Sequence, residues 1–88
     1  MITTIVLVRT EPRLTSKCAQ EIAGLSGVTE VYSVSGEWDL VAIVRVPKYE
    51  DIARIVTEEF PKVSGLQRTM TLTAFKAYSK ADTERAFA

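Results

Sequence analysis

An 88-residue chain that is 47% hydrophobic and 25% charged is long enough for one small folded domain and too apolar to be a disordered tail. Its eleven basic and eleven acidic residues cancel, so no net field draws it to nucleic acid or anionic lipid, and direct DNA binding is not expected. With no histidine, one cysteine and no apolar run near the ~18 residues of a membrane span, the composition argues against metal sites, histidine-based catalysis, disulfides and membrane insertion, and for a reduced, cytoplasmic protein.

Ile2 to Arg9 (ITTIVLVR) is rich in β-branched residues and stops at the turn signal Thr10-Glu11-Pro12, so it reads as the first strand. Thr15 is placed as a helix N-cap. Cys18, Ile22 and Leu25 follow at helical spacing until Gly27 stops the run, giving a first helix over Thr15 to Leu25 in which Cys18 packs as a small hydrophobe. Val28 to Ser35 is the second strand, Gly36-Glu37-Trp38 a hairpin connection, and Asp39 to Val46 the third strand, ended by Pro47. The second helix runs from about Tyr49 to Phe60 on an apolar stripe of Ile52, Ile55, Val56 and Phe60. Leu66 to Phe75 is the fourth strand. Residues 77–88 form a tail that is polar apart from Tyr78 and Phe87, with Asp82 to Phe87 forming a short helix or staying loose.

Ser26-Gly27-Val28 and Ser64-Gly65-Leu66 stand 38 residues apart, each after a helix and before a strand. One strand-helix-strand unit used twice makes a β-α-β-β-α-β domain. The expected fold is therefore α+β, a ferredoxin-like sandwich with an antiparallel sheet in the order 4-1-3-2. Strands one and three are apolar on both sides, as central strands are: Val6 and Val8 back Ile5 and Leu7, and Leu40, Ala42, Val44 and Val46 back Val41 and Ile43. Two helices cover one face only. The other leaves Ile5, Leu7, Val41 and Ile43 open, a patch that monomers rarely tolerate, so the sequence predicts a homodimer with its sheets packed face to face. On strand four, Leu66, Met70, Leu72 and Ala74 are placed under the helices, with Gln67, Thr69, Thr71 and Thr73 on the opposite side.

G-x-S-x-G, G-x-G-x-x-G, P-loop and C-x-x-C motifs are all absent, so an enzyme is not expected. Two other passages are informative. Val28 to Val41 (VTEVYSVSGEWDLV) resembles the strand, Gly-x-x-Asp hairpin and following strand of the Lrp/AsnC (leucine-responsive/asparagine regulator) family, in its effector-binding and dimerisation (RAM) domain. Gly65-Leu66-Gln67-Arg68-Thr69-Met70-Thr71 is similar to the Gly-Val-x-x-Thr-x-Thr start of that domain's last strand. The resemblance covers about residues 2–76 and implies a ligand-binding and dimerisation domain over residues 1–76.

Typical members carry an N-terminal helix-turn-helix domain, whereas this chain starts directly at the first strand, so the resemblance implies a stand-alone effector module linked to transcriptional regulation of amino-acid metabolism. A ligand-free adaptor, forming mixed oligomers with full-length family regulators, is the alternative. A small enzyme on a dimeric α+β barrel is a third class, for which no histidine or asparagine supplies a positioned base. The family further implies rings of four dimers, an octamer, with amino acids or other small-molecule effectors near the Gly-x-x-Asp hairpin and the Thr-x-Thr strand. Carried over by position, this singles out Gly36, Trp38, Asp39, Thr69 and Thr71, with no cofactor. In that assignment Asp39 takes the effector's ammonium, Thr69 and Thr71 with hairpin N–H groups take its carboxylate, and Trp38 walls the pocket. Asp39 also reads as a hairpin residue bonding nearby backbone, and Gly36 as a residue chosen for backbone freedom.

Overall fold

β1 (Ile2–Thr10) and β3 (Leu40–Val46) are the central strands, flanked by β4 (Leu66–Thr73) beside β1 and β2 (Val28–Ser33) beside β3. All neighbours run antiparallel, in the order β2-β3-β1-β4 expected from the repeat. The computed structural model describes residues 1–80, so the segment Asp82 to Phe87 lies outside the described residues.

One face of the sheet carries the core. Val6 and Val8 from β1, with Leu40, Ala42 and Val44 from β3, are fully buried beneath two helices. α1 (Thr15–Ala23) contributes Cys18 and Ile22, one helical turn apart. Burial, with a smaller contribution from nearby Glu21, pushes the Cys18 thiol above its ordinary pKa, which leaves it protonated and inert. Glu21 also ties the helix layer to the start of β4, since its Oε1 accepts the Ser64 N–H at 3.1 Å.

Thr15 is the first residue of α1 and not its N-cap: a 3-10 turn (Pro12–Leu14) leads into the helix, and the cap position falls on Leu14 with no side-chain bond. The Thr15 hydroxyl pairs instead with the Thr10 hydroxyl at 2.6 Å, fastening the helix start to the end of β1. The second helix also departs from the regular period. α2 (Tyr49–Arg54) passes into a π turn (Ile55–Glu59) and a 3-10 turn (Phe60–Lys62). The wide turn places Phe60, five residues after Ile55, back on the buried side, and both are shut away from solvent.

Strand four reverses the sequence expectation. Cross-strand partners share a face, and β1 pairs Ile5 with Leu72 and Leu7 with Met70, so Met70 and Leu72 lie on the face away from the helices. Thr69, Thr71 and Thr73 pair with Val8, Val6 and Thr4 and take the helix side. A register shift between Arg9 and Thr10 inserts one residue in β4, which flips its phase and returns Leu66 to the core side. The threonines are tolerated there because the helices leave this edge strand partly uncovered: Thr71 is exposed and Thr69 half-buried.

Gly65, at the start of β4, has φ 78°, and a Cβ added there would lie 2.6 Å from Leu14 Cβ. Its carbonyl accepts the Glu11 N–H at 2.8 Å, so the loop cannot drift to make room. Gly65→Ala is therefore expected to lower stability by about 1–3 kcal/mol in urea unfolding. An unchanged midpoint would show that no such overlap exists.

Candidate functional site

The hairpin connection, residues 34–39, closes with the Val34 N–H bonded to the Asp39 carbonyl at 3.0 Å. At its tip Gly36 has φ 109° and nothing within 4 Å of a notional Cβ, so backbone conformation and not space calls for glycine. The loop hangs at the end of the sheet where β1 finishes and β4 begins, and it is held from both sides.

On one side Asp39 completes a strand ladder. Its N–H donates to the Val8 carbonyl at 2.9 Å, and its Oδ2 accepts the Thr10 N–H at 2.8 Å, taking the place of the next carbonyl that β3 would have offered. The Thr10 hydroxyl stands 3.5 Å from the same oxygen. Asp39 thus does bond backbone, but to a partner 29 residues away. No bond among the described residues goes to its second oxygen, Oδ1.

On the other side the Arg9 guanidinium donates to the Glu37 carbonyl at 2.6 Å, with the Glu37 carboxylate 4.0 Å away. Trp38 receives two guanidiniums, with Arg9 5.8 Å and Arg68 5.5 Å from its ring centroid. Arg9 and Arg68 are direct cross-strand partners, a like-charge pair that is unfavourable on its own. The indole face offsets part of that repulsion. Among the described residues Arg68 forms no ion pair, so its guanidinium has the indole as its neighbour without a carboxylate partner.

The structure therefore brings Gly36, Trp38 and Asp39 together, and puts Thr69 beside Val8 and Thr71 beside Val6, on the helix side of β4. Arg68 precedes Thr69 on the strand and shares the opposite face with Arg9. The sequence reading missed Arg9 and Arg68, although strand order 4-1-3-2 already places the end of β1 against the start of β4.

Ile5, Leu7, Val41 and Ile43 lie on the face away from the helices, each half-buried within the single chain. Met70 (42% exposed), Leu72 (45%) and Tyr32 (51%) extend that apolar surface across all four strands. Its β2 rim is polar: Arg45 pairs with Glu30 at 3.5 Å and donates to the Thr29 hydroxyl at 3.1 Å, and the Tyr32 hydroxyl donates to Glu30. That hydrogen bond, with the Glu30 charge behind it, raises the Tyr32 pKa. Among the described residues no helix is long and apolar enough to cross a membrane.

Residues 3–83 match the family model of the Lrp/AsnC ligand-binding domain. The chain belongs to the Lrp/AsnC family. An uncharacterised HTH-type transcriptional regulator of Pyrococcus furiosus is 40% identical to this Lrp/AsnC chain over 76 residues, which are 83% of the chain and 51% of that protein. The chain spans about half the length of the curated relatives it matches. Among solved structures, a protein of Thermus thermophilus superposes with a TM-score of 0.84 at 42% identity, covering 91% of this chain and 100% of that one. A transcriptional regulator of Neisseria meningitidis, solved as its L-Met complex, shares the Lrp/AsnC fold at 12% identity and a TM-score of 0.79, over 89% of this chain and 52% of that chain. The chain thus corresponds to a ligand-binding domain, and the curated relatives that contain a similar segment are described as HTH-type transcriptional regulators.

Proposed function

We propose that the protein is an amino-acid-binding and oligomerisation module in transcriptional regulation of amino-acid metabolism. It acts as a homodimer through the sheet face formed by Ile5, Leu7, Val41 and Ile43. The observation that carries the effector reading is the hairpin end of the sheet, where two guanidiniums approach one indole ring and the residue next to it in the chain, Asp39, has a carboxylate with one uncommitted oxygen. A free amino acid presents the complementary groups. Its carboxylate goes to Arg68 and Arg9, since a charge-assisted bond to guanidinium outweighs one to a neutral hydroxyl. Its ammonium goes to Asp39 Oδ1, and Trp38 lines its side chain. Thr69 and Thr71 offer hydroxyls on the other side of β4, where a neighbouring dimer in a ring of four would close over the edge. The L-Met complex of the Neisseria regulator supports the ligand class.

Trp38 is the only tryptophan, so its emission reports on this site directly. Titration with each common L-amino acid is expected to give a saturable change with one or a few of them. Arg68→Ala is expected to weaken that binding by roughly 10- to 100-fold, the range of a lost charge-assisted bond. If no amino acid alters either Trp38 emission or the sedimentation coefficient, the effector reading is wrong. Mixed dimers with full-length regulators are a second reading, favoured by the 40% identity to a regulator about twice this length. That reading predicts co-purification with such a regulator and no response to amino acids.

A further inference from the structure

Beyond Thr73 the chain leaves the sheet. Residues 74–79 have no regular structure, and within this arm Phe75 is 99% exposed and Tyr78 80% exposed, with Lys76 5.1 Å from the ring centroid of the latter. The arm starts on the side away from the helices: the Ala74 N–H bonds to the Thr3 carbonyl at 2.9 Å, and residues 74–77 form one wall of a 260 Å³ cleft whose other wall is Met1, Thr3 and Arg45. It also stretches the molecule, whose radius of gyration is 14.5 Å against about 12 Å for a compact domain of this length. A segment carrying two bare aromatic rings and continuous with the open apolar face has no cover among the described residues.

We propose that this arm docks onto a second copy of the chain, with Phe75 and Tyr78 as its anchors. The inference rests on the face-to-face dimer proposed above, and two magnitudes favour it. Four strands spaced at ~4.8 Å, with seven residues in β3 at ~3.3 Å each, offer a flat face of roughly 450 Å². Specific stable dimers bury about 800 Å² of accessible surface per partner, and the two exposed rings of the arm add to what the face supplies. Residues 74–79 reach roughly 20 Å when extended, whereas packed sheets lie only about 10 Å apart, so the arm spans the gap with length to spare. Each arm adds two aromatic anchors, and two-fold symmetry doubles the contribution.

The test compares the full chain with its Phe75→Ser/Tyr78→Ser variant by sedimentation velocity over a dilution series. Both rings stand in solvent in the single chain, so the variant keeps its fold, which circular dichroism checks. The dimer dissociation constant is expected to rise by about 100-fold or more. A parallel Phe75→p-benzoylphenylalanine variant is expected to give a dimer-sized adduct on irradiation. Equal dissociation constants with only intrachain adducts would overturn the arm while leaving the dimer standing. A wild-type chain that stays monomeric at every concentration would overturn the dimer, and the arm with it.

Discussion

Ile43→Asp is expected to convert the proposed dimer to a folded monomer. Ile43 pairs with Ile5 across the two central strands, at the middle of the open face, and both are half-buried before any partner arrives. In the single chain a carboxylate at this position reaches solvent, so far-UV circular dichroism should be unchanged. In the dimer it would be desolvated among Ile5, Leu7 and Val41, facing the like charge of its cross-strand partner Glu30, to which the neighbouring cation Arg45 is already paired at 3.5 Å. The penalty is several kcal/mol per ion and applies twice across a two-fold axis. A loss of at least about 4 kcal/mol corresponds to roughly a thousandfold weaker association, which moves even a nanomolar dimer to the micromolar range. Sedimentation velocity at low micromolar concentration reads the outcome, and an unchanged dimer would place the interface elsewhere.

Phe60→Ala is the largest stability change expected within one chain. Phe60 is 1% exposed and shares the core with Ile22, Leu40 and Ile55. Truncating a buried phenylalanine costs about 3–5 kcal/mol, the lost transfer term plus the cavity. A domain of this length holds about 4–13 kcal/mol in total, so the change removes a large share of it. The thermal midpoint should fall by at least about 12 °C at matched protein concentration, since dimerisation also moves it. A shift of only a degree or two would mean that Phe60 is not held in the core by the π turn.

That π turn marks one limit of what the residues reveal. Ile52, Ile55, Val56 and Phe60 fit an ordinary helical stripe, and nothing in their types announces that the hydrogen bonds shift after Arg54. Sequence periodicity finds the right buried residues and the wrong backbone, because the core selects faces and not bonding patterns. The hairpin end behaves similarly. Gly36, Trp38 and Asp39 stand out in the sequence, but the partner of Asp39, the Thr10 N–H, is 29 positions away and is set only when β1 and β3 align. The Arg9 and Arg68 pair is within reach of sequence reasoning, because the strand order implies their register once the repeat is recognised.

β4 shows the other limit. Alternation along Leu66, Met70, Leu72 and Ala74 is visible in the sequence, but the side it faces follows only from assuming that the apolar side lies under the helices. A domain whose second face is also apolar breaks that assumption. The bulge opposite Arg9 and Thr10 then splits the row, sending Leu66 to the core and Met70 and Leu72 to the open face.

Composition and period along the chain suffice for the four strands and the existence of a second apolar face, because each is written in residues close together, and the repeat of one unit supplies the strand order through the fold it implies. The phase of β4, the widened turn before Phe60, and the meeting of Trp38 with Arg9 and Arg68 arise only when the elements pack. Each of these depends on how segments distant in the chain align, and one inserted residue is enough to invert a register with no trace in local pattern.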